Sequence, residues 1–308
     1  MDSEPAHTRS FEDAIAVHAV AQQTYSADLD PSWSIGDVPH GGYLAAIFYR
    51  VAKLHFLLNH PTRHEGCAAP INIQLTFVRR ANIGRAILRV VDIKLGRRTS
   101  VIQISLMQSP LEQSKAVDKT IAHVTMSNLA AEAGLSLIEG QTAVGDRARP
   151  EWTRFDIPHP EFRKATGHVE VYQAEGSIQQ SGLVYKQRSA LTWDDGCQRV
   201  HGLWTNEAAT FLLDVFPMLL AGLEKSMSKE EGTEGPIWFP TLTITIDFRK
   251  ELPKCGVEWL RSRTSVKSVK NGGTAIEVEL RTDETGEVVA VATHAGLMVD
   301  SARNRSKM

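Results

Sequence analysis

The short signatures of several common enzyme chemistries are missing from this chain of 308 residues. It has no G-x-S-x-G, so it lacks the nucleophile elbow of α/β hydrolases. It has no glycine-rich dinucleotide fingerprint, phosphate loop, H-E-x-x-H or Cys-x-x-Cys pair. The eleven histidines are scattered without ligand spacing, so nicotinamide, ATP and metal chemistry are all disfavoured. Cysteine is scarce: Cys67, Cys197 and Cys255 stand far apart. That excludes a disulfide framework or a metal knuckle and fits a reducing compartment. No apolar run approaches the ~18–20 residues of a membrane helix. An excess of one charge is lacking too, with 34 Lys and Arg against 36 Asp and Glu. Nothing in that balance asks for nucleic acid or an anionic membrane. The opening "MDSEPAHTRSFEDA" is acidic and polar, unlike a secretory signal.

The chain does contain a repeat. In the first half, "YSADLDPSWSIG" leads into an apolar helix, about Gly41 to Leu58. Four alternating, strand-like runs follow: "INIQLTFVRR", "GRAILRVVDIKLG", "TSVIQISLMQ" and "KTIAHVTMSN". The second half repeats the order. "SALTWDDGCQRVHGLW" precedes a helix from Glu207 to Leu223, interrupted or kinked at Pro217. Then come "TLTITIDFRKEL", "GVEWLRSRTSVKSV", "TAIEVELRTD" and "EVVAVATHAGLMV", the last two joined by a "DETG" hairpin. "IQLTFVRR" lies over "ITIDFRKE", which matches Thr76 to Asp247. The expectation is two α+β units, residues 1–127 and 169–308, joined sheet edge to sheet edge to remove exposed edges. Residues 128–168, polar and bearing Pro and Gly, read as a linker. The charge run Glu224 to Pro236 reads as a solvated loop.

A chain without these signatures must work with a carboxylate, a hydroxyl, an imidazole or backbone N–H groups. Gly41 and Gly42 open the first helix, where each costs less than the ~1 kcal/mol of a mid-helix glycine. They serve either a close ligand approach to the positive helix end or a tight strand-to-helix turn. Asp247 lies opposite the apolar set Leu242, Ile244, Ile246, Phe248. It is a solvated strand carboxylate, one paired with Arg249, or an acid kept in one half only. His294 interrupts an apolar last strand, as a packed ring or a working one. Ser268 precedes a turn. Asp214, a buried-looking acid in "FLLDVFP", is either a kink partner or a site residue. Arg79, Arg80, Arg97 and Arg98 are turn arginines or phosphate contacts.

"PHGGYLAAI", "TFVRRANIG", "LGRRTSVIQISLMQ", "LLDVFP", "ITIDFRKELP" and "VVAVATHAGLMV" together resemble the acyl-CoA thioesterase II family and its fungal thioesterase-like relatives. The resemblance covers most of residues 25–127 and 170–300. It implies a double hotdog: two antiparallel sheets, each wrapped around a long central helix, joined into one continuous sheet. It implies a water-activating Asp on the first strand after the second helix, a position held by Asp247. It also implies a hydroxyl two strands later, Ser268, and a Gln in the last strand, where this chain has His294. The first turn, His40, Gly41, Gly42 and Tyr43, would meet substrate, the glycine N–H groups holding the oxyanion. The four arginines would meet coenzyme A, which enters as part of the substrate; no separate cofactor is implied.

Hydrolysis of an acyl-CoA or carrier-bound thioester is the expected reaction. The alternatives are a lyase, dehydratase or cyclase acting on a polyketide-like or enoyl substrate, favoured by His for Gln, and a non-catalytic acyl-binding module. Sheet edges or faces offer a homo-oligomer contact. The final Ser306-Lys307-Met308 resembles a peroxisomal address, the alternative being a cytoplasmic protein with a frayed basic tail.

Overall fold

The computed structural model describes residues 10–109, 115–135, 152–174, 183–189, 192–194, 199–216, 219–224 and 236–304. The main sheet takes β1 (His18–Ala21), β2 (Thr24–Leu29), β3 (Ala69–Phe77), β4 (Gly84–Leu95), β5 (Ser100–Gln108) and β6 (Val117–Ser127) from the first half. From the second it takes β7 (Trp152–Phe155), β8 (Val169–Ala174), β9 (Leu183–Ser189), β10 (Thr241–Phe248), β11 (Leu260–Lys270), β12 (Gly273–Thr282) and β13 (Val288–Leu297). These 13 strands run in the order β1-β2-β4-β5-β6-β3-β10-β13-β12-β11-β9-β8-β7. The halves meet where β3 pairs antiparallel with β10.

The register at that junction explains the internal repeat. Asn72 faces Asp247, Thr76 faces Thr243, and Gln74 faces Thr245 between them. A two-fold axis through the Gln74–Thr245 pair therefore exchanges the sequence-matched positions of the two halves. Joining the sheets there removes two exposed edges at once.

Two helices lie inside. α1 (Gly41–Asn59) is buried all the way round from Gly42 to Tyr49. That is why its sequence shows no charged residue before Arg50. α2 (Asn206–Leu212) packs against it, with Thr205 Oγ1 capping the N–H of Ala208. Truncating a fully buried ring such as Phe48 or Phe211 would cost about 3–5 kcal/mol.

The second helix is interrupted: α2 ends at Leu212, before the chain reaches Pro217, and residues 219–224 are helical again. One expectation needs correcting: residues 128–168 do more than link. They supply β7, which pairs with β8, and Arg163, whose buried guanidinium binds the Glu224 carboxylate. Glu224 in turn accepts the N–H of Ile237 at 2.9 Å.

Candidate active site

The early end of α2 decides the site. Two residues past Leu212, Asp214 turns its carboxyl to the first turn of α1. Its side chain is 7% exposed and borders a cavity of about 260 Å3. His40, Gly41 and Thr241 line the same cavity, with Phe77, Phe216, Trp238 and Phe239 among its apolar walls. Asp214 Oδ2 accepts the Gly42 N–H at 2.8 Å. Oδ1 accepts the Thr241 hydroxyl at 3.3 Å and lies 3.4 Å from His294 Nδ1. His40 Nδ1 is 3.7 Å from Oδ2.

The two glycines are explained by this contact. A Cβ on Gly41 would lie 2.6 Å from Asp214 Oδ2, and one on Gly42 would lie 2.4 Å from the Phe211 carbonyl oxygen. Bare backbone lets the end of α2 press against the start of α1. The Gly42 N–H is thereby engaged, shared between Asp214 and His40 Nδ1 at 3.1 Å. That corrects the expectation of a paired oxyanion donor. Gly41, at the first helical position, lines the cavity, and its N–H has no intrahelical acceptor.

Hydrogen bonds also fix where the protons are. His294 Nε2 is 3.0 Å from the Leu213 carbonyl, which can only accept, so Nε2 carries the hydrogen. Nδ1 then presents a lone pair to Asp214 Oδ1, and it is buried without a hydrogen-bond donor. A lone pair facing a carboxylate is repulsive; one proton between them satisfies both. Burial pushes the Asp214 carboxyl up to about 7, against the opposing hydrogen bonds from Gly42 and Thr241. Burial also pushes His294 down to about 4 and His40 down to about 3. Near neutral pH both rings are therefore uncharged, and their contacts with Asp214 are polar rather than ionic.

The other sequence candidates lie elsewhere. Asp247 points to the outer face, because Ile244, Ile246 and Phe248 take the core side of β10. Its side chain is 41% exposed, accepts from Asn72 at 2.9 Å and lies 3.6 Å from Arg249. It sits opposite Val291, three residues along β13 from His294 and on the other face, about 10 Å away along the strand. Ser268 is exposed on β11 opposite Ala275. Tyr43 is fully buried, donating to the Ala14 carbonyl at 2.6 Å and accepting the Asp30 N–H at 3.2 Å. Arg79 and Arg80 line the cavity mouth. Arg97 and Arg98 do not; their turn joins β4 to β5 at the opposite end of the strands, about 20 Å away. Sequence reasoning misses Thr241, and it singles out Asp214 without separating a site residue from a kink partner.

Among the described residues, the matched corner in the other half carries no such site. There the first turn of α2 presents Glu207, clamped by Arg50 of α1 at 2.9 and 2.7 Å. The position of His294, opposite Ile244 in β13, corresponds to Val124, opposite Ile73 in β6. The asymmetry of the repeat lies here rather than in Asp247 and Thr76.

Comparison with known proteins agrees with this architecture. Residues 29–128 match the acyl-CoA thioesterase N-terminal domain, and residues 141–298 match the acyl-CoA thioesterase C-terminal domain. The thioesterase-like protein TwmA of Talaromyces wortmannii is 26% identical, over 96% of this chain and 94% of that one. A hot dog fold protein of unknown function from Alicyclobacillus acidocaldarius superposes with a TM-score of 0.68 at 18% identity, covering 95% of this chain and 99% of the other. An acyl-CoA thioesterase II from Mycobacterium marinum gives 0.64 at 14% identity, covering 95% and 100%. With both domain matches falling on the two halves of the sheet, the chain belongs to the acyl-CoA thioesterase family, as a thioester hydrolase built on a double hot dog.

Proposed function

We propose that this enzyme hydrolyses an acyl thioester with Asp214 as the general base, and that Gly42 N–H and the Thr241 hydroxyl hold that base in place. The observation that carries the reading is a buried carboxyl at the cavity wall, fixed by Gly42 N–H and the Thr241 hydroxyl, with His294 Nδ1 3.4 Å away. In its ionised form Asp214 takes a proton from water as the oxygen attacks the thioester carbonyl. Gly41 N–H stabilises the oxyanion, a contribution of about 3–4 kcal/mol where such donors have been removed elsewhere. The tetrahedral intermediate expels the thiolate, and the proton on Asp214 returns to sulfur. A thioester needs no covalent serine intermediate, which fits the missing nucleophile elbow.

The protons on the imidazoles speak against a lyase reaction run by histidine. Abstraction of a substrate proton by an imidazole needs a basic nitrogen facing the cavity. His40 Nδ1 already accepts from Gly42, which leaves its hydrogen on Nε2. The free lone pair of His294 faces Asp214. Neither ring offers a base to a bound enoyl or hydroxyacyl chain.

The cavity, at about 260 Å3, falls just below the usual range for ligand pockets of about 300–1,000 Å3, so a small or compact acyl group suits it. At its mouth Arg80 has a buried Nη2 without a hydrogen-bond partner, 3.9 Å from Asp37. That guanidinium suits a phosphate of coenzyme A or of a carrier arm. A thiol-release assay across short, branched and aromatic acyl-CoA esters tests the proposal. Release by the wild type and its loss in Asp214→Asn are expected. Release that persists in Asp214→Asn would remove Asp214 as the base.

A further inference from the structure

The far end of α1 gathers a second group of chemistry-bearing side chains. His55 lies in its last turns, His60 caps it, and Asp92 comes across from β4. His55 Nε2 is 2.9 Å from Asp92 Oδ1, and His60 Nε2 is 3.0 Å from Asp92 Oδ2. The ligand atoms of all three residues lie within 4.8 Å of one another. Gly42 is about 20 Å away along the helix, counted from His55, so this cluster is separate from Asp214.

We propose that His55, His60 and Asp92 form a binding site for a divalent first-row transition cation, Zn2+ being the best fit to two imidazoles and a carboxylate. Geometry is the first argument. A tetrahedral ion with bonds of about 2.0–2.1 Å separates its ligand atoms by about 3.3 Å. The two N–O separations, one to each Asp92 oxygen, come within a few tenths of that distance, and an ion would draw the remaining ligand atoms together from within 4.8 Å.

The supporting shell is the second argument. A histidine that binds metal through Nε2 needs an acceptor for its Nδ1 hydrogen. Tyr25 Oη stands 3.1 Å from His55 Nδ1 and can accept after rotating its own hydrogen. Asn59 Nδ2 donates to that same phenol oxygen at 3.3 Å, and Gln23 Nε2 reaches Asp92 Oδ2 at 3.4 Å. Neutral His55 changes tautomer, so no net proton need be released there.

Access and charge are the third. His55 is fully buried, whereas His60 and Asp92 are 16% and 20% exposed. His60 borders a cavity of about 470 Å3, which leaves the fourth position open to solvent. The cluster also sits at the negative end of the α1 dipole, whose last turn holds no basic residue. Lys53 and Arg63 line the same cavity, so a hydroxide or another small anion suits that fourth position. The ion would pin the end of α1 to β4.

Chelator-treated full-length protein titrated with ZnCl2 by calorimetry, with thermal melts alongside, tests the site. One Zn2+ per chain and a rise in Tm are expected. His60→Ala and Asp92→Asn should each weaken binding at least 100-fold, and Tyr25→Phe about tenfold. Circular dichroism and zinc-free melts confirm that each variant is folded. If the variant melts show loss of fold, His60→Gln replaces His60→Ala, with the same loss expected. A wild type that takes up no zinc has only a hydrogen-bonded network here, and the proposal fails. Binding that is unchanged in both ligand variants overturns it equally.

Discussion

Replacing Asp214 by Asn should change how the protein responds to acid, as well as removing catalysis. At pH 5 the folded wild type holds one proton on the trio, on Asp214, whose pKa is raised to about 7, while His40 and His294 stay neutral with values near 3 and 4. The unfolded chain at that pH ionises the carboxyl (ordinary value about 3.9) and charges both imidazoles (about 6.5). It therefore holds two protons on the same groups. The stability due to the protonated acid is full below about pH 4 and is lost as pH rises through 7. The stability due to the neutral rings is full above about 6.5 and is lost as pH falls through 4 and 3. Between about pH 4.5 and 6 the net difference is one proton, worth about 1.4 kcal/mol of added stability per pH unit. In Asp214→Asn the folded trio holds none, so the difference becomes two protons and the slope about 2.7 kcal/mol per unit. Other titrating groups contribute to both proteins and cancel when the slopes are subtracted. Urea unfolding of both proteins at half-unit steps reads that difference directly, about 2 kcal/mol across the window. Parallel curves would mean that Asp214 is already ionised when folded, and the proton assignment would be wrong. The same assignment predicts a wild-type kcat/KM that rises with pH to a midpoint near 7. Loss of the base should cost about 10²–10⁴ in kcat.

Three other outcomes follow from the site. Asp247→Asn should keep thioester hydrolysis within about twofold, since an exposed outer-face carboxylate contributes little; a large loss in steady-state assays would return Asp247 to the mechanism. His294→Gln should retain most activity while moving the pH midpoint below 7, because the amide can donate to Asp214 where the ring offers a lone pair; an unmoved midpoint would count against the facing lone pair. Ser306, Lys307 and Met308 lie outside the described residues, so the peroxisomal reading rests on sequence. An N-terminal fluorescent fusion should be punctate in cells and become diffuse when the tripeptide is deleted.

The repeat was legible because its signals are local. Alternation in "TLTITIDF" and "TSVIQISLMQ" makes strands whatever they pair with, and the sequence match of Gln74 to Thr245 marks the pair at which the sheets join. The site was less legible because its parts arrive from four places: α1, the turn after α2, β10 and β13. Alternation already set Asp247 on the solvated face, and pairing it with His294 required them to share a face. Asp214 fits no strand pattern, and only the end of α2 at Leu212 aims it at Gly42. Tyr43 illustrates the reverse: a residue in the right turn whose side chain points into the core. His55 and His60, five apart, showed no ligand spacing, because their third partner, Asp92, comes from β4.

The Arg50–Glu207 clamp has a mechanical consequence. At one corner two charged hydrogen bonds rivet α1 to α2. At the other, the helices are held by a backbone N–H on one carboxylate and by the bare surfaces of two glycines. The two corners of one duplicated frame are thus fastened by different means. Charge closes one of them, and the bare backbone of the other leaves room for a carboxyl to come within reach of a helix end.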